Sequence, residues 1–328
     1  MKKNNYKNLK ISEKYIINKL LIKLNFNKKE TFNFKNDGAF LKIPKNKQIV
    51  VTNDTINESV DFFTTDSADS VANKIICYNL SDISSMGAEP YAYTLSLSLP
   101  INIKISWLKK FIKKLYFLQK KHNFFLLGGD LSHSDKIIIS SNFFGFVKKG
   151  KIIKRTGSNV NDDIWVTGNL GESSIGLAIR KNKIQMNYKD KIYFIKKFLY
   201  PQPCMIGKKI FNIATSAIDI SDGFYGDLEN LVNENKFGAI IQSNTIPFSN
   251  KIKKLIDNKH INFDYLLSSG DDYELIFTAH PSKTSIINKI SKINNVKITK
   301  VGRIIENKGL FMDGKILKKI KKSFQHFL

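Results

Sequence analysis

Apolar and small polar positions alternate through 91–99, YAYTLSLSL, which puts Tyr91, Tyr93, Leu95, Leu97 and Leu99 on one face of an extended strand. Stretches rich in β-branched and aromatic residues predict further strands at 48–52, 124–127, 137–147 and 164–167. Between them the apolar spacing lengthens to that of a helix. Over 66–86 it aligns Val71, Ile75, Ile76 and Leu80, with Gly87 placed to end the helix in a left-handed turn. Ser106 is expected to cap a second helix carrying the stripe Trp107, Leu108, Phe111, Ile112 and Leu115. A basic connection, KKGKIIKRTGSNVNDD, then leads to a strand, DIWVTG, and a new run of elements. Pro201 and Pro203 punctuate that run. A helix is predicted over 224–233 and strands over 239–242, 274–278 and 297–304. Mixed helix and strand over 328 residues, near the practical limit of one core, predicts an α/β fold in two domains, 1–150 and 151–328.

Charge changes this picture less than its size suggests. Lysine and arginine number 53 against 28 acidic residues, a formal charge of +25. Such an excess ordinarily points to nucleic acid or an acidic membrane surface. Only Arg155, Arg180 and Arg303 are arginine, however, and nucleic-acid readers favour the planar guanidinium fork. The lysines read as a solvated face, and neither nucleic acid nor membrane is expected as a partner. The basic N-terminal stretch is interrupted at Lys14, Asn18, Lys19 and Lys23, as an amphipathic helix would be, and no stretch approaches membrane-spanning length. Cys77 and Cys204 match no zinc or disulfide pattern and read as buried thiols of a reducing compartment, so a cytoplasmic protein is expected.

The informative residues are aspartates. Asp37, Asp54, Asp82, Asp130, Asp219 and Asp222 are set among small, apolar or hydroxyl residues. Carboxylates in such settings are costly unless a divalent ion neutralises them. Together they point to several Mg²⁺ ions and a polyphosphate. Residues 48–73, 75–103 and 210–235 contain no lysine that would occupy Asp54, Asp82, Asp219 or Asp222, whereas Asp37 has Lys35 close by.

Each segment also has a plainer reading. Asn36-Asp37-Gly38 alone is a hairpin turn. Thr52-Asn53-Asp54-Thr55 is expected to end an apolar strand, either as a hard-cation site or as a polar strand cap. Asp82 has no cation three or four residues away on its helix and is expected to face a packed interior. Gly128-Gly129-Asp130 follows an apolar stretch; its glycines would let backbone amides approach phosphate while Asp130 holds a metal. Asp219-Ile220-Ser221-Asp222-Gly223 precedes a helix and offers two carboxylates, a hydroxyl and free helix amides. Residues 269–274, SGDDYE, form a second acidic turn. There is no GxxxxGK[ST] loop, no GxSxG elbow, no HRD loop and no histidine pair at ligand spacing.

Taken in order, TNDT, NLSDISSMGAEP, GGD, RTG, AIDISDG and SGDDYEL resemble the thiamine-monophosphate kinase family, from about residue 33 onward. Its superfamily includes aminoimidazole ribonucleotide synthetase and selenophosphate synthetase. The resemblance implies an N-terminal domain whose sheet pairs into a barrel across a homodimer interface, a C-terminal α/β domain, and ATP in the cleft between them. It implies transfer of the ATP γ-phosphoryl group to thiamine monophosphate. The magnesium positions resemble Asp37, Thr52, Asn53, Asp54, Asp82, Asp130, Asp219 and Asp222. Gly129, Asp130, Arg155 and Ser221 match nucleotide contacts, and Asp61 and Asp271 match contacts of the thiamine phosphate. Asp222, Asp130 and Arg155 are then expected to act on the transferring group.

This chain departs from the family pattern at several points. The usual Gly-Asp-Asp reads Asn36-Asp37, the usual His is Asp61, the usual Glu is Asp271, and the stacking aromatic near the C-terminus is Lys321, with Phe324 the nearest ring. Two other readings stand beside the kinase: an ATP-dependent synthetase of the aminoimidazole ribonucleotide type, and a basic polyanion-binding protein without turnover. Neither cysteine is placed for selenophosphate chemistry.

Overall fold

Strand propensity and alternation are realised in two sheets. The computed structural model describes residues 12–258 and 260–317. Strands β1 (Lys47–Asn57), β2 (Glu89–Leu99), β3 (Phe125–His133) and β4 (Ile138–Lys148) make a four-stranded sheet in the order β1-β4-β2-β3. Strands β5 (Asp163–Thr167), β6 (Ser216–Asp219), β7 (Gly238–Ile241), β8 (Leu275–Ala279), β9 (Ile298–Ile305), β10 (Gly309–Met312) and β11 (Lys315–Ile316) make a seven-stranded sheet, ordered β11-β10-β7-β9-β5-β8-β6. The chain is a mixed α/β protein.

Two compact units divide it. One takes the described residues through Ile43 with Asn53–Ile76 and Pro90–Phe144; the other takes Pro44–Thr52, Cys77–Glu89 and Gly145 onward. In the first, β2 runs parallel to β3, and their register shifts between Tyr93 and Thr94. Tyr93, Leu95, Leu97 and Leu99 are buried, as the alternation requires. Tyr93 is stacked on Phe143 and meets Phe124 edge-on, an arrangement aromatic quadrupoles favour. The helix Ile105–His122 buries Leu108, Phe111, Ile112, Leu115 and Leu118. Its N-cap is Lys104 rather than Ser106, and no side chain caps it; Ser106 falls inside the first turn.

The seven-stranded sheet is covered on both faces. Ile164, Val166, Ile218 and Ile276 belong to one core cluster, with Ile175, Phe194, Phe224 and Leu228 from neighbouring helices. The intervening Trp165, Ala217, Leu275 and Phe277 join a second cluster with Ile206, Ile210 and Ile287. Period-two alternation thus feeds two cores, and β5 and β8 are buried throughout. Each large aliphatic side chain so buried contributes about 1.5–3 kcal/mol.

Strand β1 continues past the expected end at residue 52, so TNDT lies inside it. The pleat therefore separates its side chains: Thr52 and Asp54 are half-buried, while Val51, Asn53 and Thr55 are exposed. Likewise β3 continues through Gly128-Gly129-Asp130, which pair with Thr94, Leu95 and Ser96 of β2. The helix Ala68–Ser85 ends where expected, with Gly87 at φ +74 donating its N–H to Ser84 O. Both cysteines are buried, and no disulfide joins them. Among the described residues no helix is long and apolar enough to cross a membrane.

Candidate active site

Two of the candidate carboxylates meet within the larger unit. Asp82 projects from the last turns of the helix Ala68–Ser85, and its Oδ2 accepts the hydroxyl of Thr52 from β1. One residue earlier, Ser81 Oγ donates to Asp219 Oδ2 at 2.7 Å, where Asp219 ends β6. Asp219 is only 4 % exposed. Burial first, then the negative charge of Asp82, pushes its carboxyl up to about 7, against the opposing pull of Ser81 and Arg155. Burial also raises Asp82, opposed by the Thr52 hydrogen bond and the Arg155 charge. Arg155 is exposed, and its main-chain oxygen accepts from Asn235 Nδ2 at 2.7 Å. Thr52, Asp82, Asp219 and Arg155 are thus brought together, with Ser81, which the sequence reading did not single out.

The turn after β6 is joined to the second acidic turn by main-chain hydrogen bonds. Asp271 N–H donates to Ser221 O at 2.9 Å, Tyr273 N–H to Ile220 O at 2.8 Å, and Ile220 N–H to Glu274 O at 2.8 Å. A Cβ on Gly270 would stand 1.9 Å from Ser221 O, so glycine is required for this approach. Asp271 and Tyr273 adopt φ of +69° and +52°, unusual for residues with side chains. Tyr273 OH donates to Asp271 Oδ1 at 2.8 Å, and its ring stacks on Tyr78 at 4.7 Å.

The helix amides expected to be free for phosphate are not free. Those of Ser221, Asp222 and Gly223 all donate to Asp227 Oδ2, at 3.1, 3.0 and 3.2 Å. Sequence reasoning passed over Asp227, which lies six residues after Ser221 rather than at the three-residue spacing of a capping box. Burial, then the charges of Asp222 and Asp219, pushes its carboxyl up to about 8.

In the smaller unit, Asp37 and Asp130 are exposed and line a cavity of about 650 Å³ with Gly128, Gly129, Thr94 and Ser96. Gly129 has a packing reason to be glycine, because a Cβ there would sit 1.9 Å from Leu95 O. Gly128 faces open space, and a Cβ there would meet nothing within 4 Å. Asn36-Asp37-Gly38 forms bends rather than a hairpin. Asn53 Nδ2 donates to Asn142 Oδ1 at 2.8 Å, on the strand face opposite Thr52 and Asp54. Asp61 braces its own turn, with Oδ2 accepting from Asn57 N–H at 2.7 Å and its main-chain oxygen from Lys74 Nζ at 3.0 Å. Lys321 and Phe324 lie outside the described residues.

Residues 35–147 match the family described as AIR synthase related protein, N-terminal domain. A thiamine-monophosphate kinase of Buchnera aphidicola subsp. Acyrthosiphon pisum (strain APS) is 38% identical over 298 residues, which are 89% of this chain and 91% of that protein. The chain belongs to the thiamine-monophosphate kinase family. Among solved structures, the thiamine-monophosphate kinase of Stenotrophomonas maltophilia K279a is similar with a TM-score of 0.80 and 30% identity, covering 86% of this chain and 90% of that one. AaThiL complexed with AMPPCP and TMP is similar with a TM-score of 0.78 and 28% identity, covering 89% and 91%.

Against this kinase family, the donor set suits a hard divalent cation. Thr52, Asp82 and Asp219 present only oxygen, and two mutually repelling carboxylates sharing a largely buried setting are relieved by a cation. Among the described residues, no group of three or more His, Cys, Asp or Glu side chains is assembled to hold a metal by itself.

Proposed function

We propose that this protein transfers the γ-phosphoryl group of ATP to the phosphate of thiamine monophosphate, giving thiamine diphosphate and ADP. What carries the reading is kinship over nearly the whole chain with kinases of that name. AaThiL, a relative in fold and sequence, binds AMPPCP, an ATP analogue, together with TMP.

The acceptor phosphate is already ionised and nucleophilic at neutral pH, so the reaction asks little of a general base. What opposes it is repulsion between two polyanions. Mg²⁺, when bound, neutralises charge on the phosphates and orients them. Several ions are proposed: Asp82 and Asp219 would hold one with Thr52, and Asp37, Asn53, Asp54, Asp130 and Asp222 are the further proposed ligands. Ser81 and Thr52 fix the rotamers of Asp219 and Asp82 through their hydroxyl hydrogen bonds. Arg155 supplies positive charge near both carboxylates, and it is the proposed contact for the nucleotide or the transferring group. Gly129, Asp130 and Ser221 are the remaining proposed nucleotide contacts. Asp61, Asp271 and Lys321 are those for the acceptor. A cytoplasmic homodimer, two domains split near residue 150, and no nucleic-acid or membrane partner complete the proposal.

The test is direct. Incubation with Mg-ATP and thiamine monophosphate should give thiamine diphosphate and ADP in equal amounts. ADP and free phosphate without thiamine diphosphate would overturn the acceptor assignment.

A further inference from the structure

The turn carrying Ser221 and Asp222 is held by a carboxylate outside it. Every main-chain N–H from Ser221 to Gly223 ends on one oxygen, Asp227 Oδ2. Asp227 lies in the first turn of the helix Phe224–Glu234 and is 2 % exposed. Gly223, at φ +117°, bends the chain into that helix. On its other edge the turn is fixed by its carbonyls, since Ile220 O and Ser221 O accept from Tyr273 and Asp271. Donors and acceptors of the turn are therefore both committed before any ligand arrives.

We propose that Asp227 is a positioning residue for phosphoryl transfer, gathering the amides of Ser221, Asp222 and Gly223 so that the Ser221 and Asp222 side chains are preset. It does this without touching either substrate. The inference rests on the kinase reading above and deepens it. A buried carboxyl oxygen accepting three N–H groups at the start of a helix satisfies all three donors of the turn at once. Removing it takes away the one oxygen that gathers the three donors, and the turn relaxes. Displacing reacting groups by about 1 Å costs on the order of 100-fold in rate.

The experiment pairs two readouts on the full chain for wild type, Asp227→Ala and Asp227→Asn. Amide hydrogen exchange over 219–225 is followed without nucleotide or metal, and steady-state kinetics are measured with Mg-ATP and thiamine monophosphate. In wild type the turn amides should be protected. In Asp227→Ala they should exchange on the order of tenfold faster or more, and kcat should fall on the order of 100-fold with the acceptor KM changed no more than about threefold. Asp227→Asn keeps an acceptor oxygen in place, so it should recover most of the protection and at least about tenfold of the lost kcat. Unprotected turn amides in wild type, or normal turnover in Asp227→Ala, overturns the proposal. So does a folded Asp227→Asn with protected amides and the kcat of the alanine variant. Should Asp227→Ala fail to fold, wild-type protection and the asparagine variant decide the matter alone. A wild-type protein that makes no thiamine diphosphate defeats the kinase reading, whereas the exchange result stands apart from it.

Discussion

Ser81 and Asp219, 138 residues apart, are joined by a 2.7 Å hydrogen bond that fixes a buried carboxylate beside Asp82. The helix bearing Ser81 thereby supplies one member of an acidic pair, Asp82, and from the preceding residue the hydroxyl that holds the other.

A hydrogen bond to a buried carboxyl contributes about 0.5–3 kcal/mol, the upper end when the carboxyl is ionised. Ser81→Ala should therefore leave the fold intact but let Asp219 leave its rotamer. The expected outcome is a loss of about 10-fold in kcat/KM for Mg-ATP with a normal circular dichroism spectrum. Unchanged kinetics across a Mg²⁺ titration would show that the bond plays no part in the site.

Asp222→Ala tests the turn after β6 at its centre. Removing one carboxylate that fixes a metal or stabilises developing charge costs on the order of 10²–10³ in rate. The measurement is kcat at saturating Mg²⁺ and both substrates. Near-normal turnover there removes Asp222 from the proposed set.

The adjacent glycines of β3 should respond oppositely to the same change. A methyl on Gly129 meets the Leu95 carbonyl at 1.9 Å, whereas one on Gly128 meets nothing within 4 Å. Gly129→Ala should destabilise by about 3 kcal/mol or more, because backbone must move, and Gly128→Ala by less than about 0.5 kcal/mol. Denaturant midpoints compare them. Equal effects would mean that β3 pairs with β2 in a register other than Gly129 opposite Leu95.

What the sequence made legible follows from where the determinants lie. Alternation alone placed Tyr93, Leu95, Leu97 and Leu99 in the core, and the carboxylate of Asp82, with no cation nearby on its helix, proved half-buried and partnered by a hydroxyl. Strand ends were harder. Polar residues usually close a strand, yet Asn53 and Thr55 face outward on β1, so pairing continues through them. The packing reason for Gly129 was not legible, because sequence cannot show Leu95 lying against it. Asp227 was invisible for a related reason: its partners are main-chain amides, which every residue but proline possesses. Ser81 became informative only once Asp219 had been brought to it by the fold.

Glu274 gives the clearest pH signature. Burial pushes its carboxyl up from 4.5 to about 7, outweighing the Thr167 hydrogen bond and the Lys197 charge that favour ionisation. Thr167 Oγ1 donates to its Oε2 at 2.5 Å, and Gly168, at φ +63, leaves the room that a side chain would deny. The folded state therefore holds this proton more tightly than the unfolded chain. Below pH 4.5 both states are protonated and nothing is lost. Between pH 4.5 and about 7 the unfolded state releases the proton first, so stability declines as pH rises. Above about 7 the full difference, on the order of 3 kcal/mol, weighs against the fold. Glu274→Gln removes that titration while keeping an oxygen for Thr167. Its stability relative to wild type should climb by roughly that 3 kcal/mol from pH 4.5 to pH 8 in denaturant titrations. Parallel wild-type and variant profiles across this window would mean that the carboxyl ionises as readily in the folded protein as in the unfolded chain.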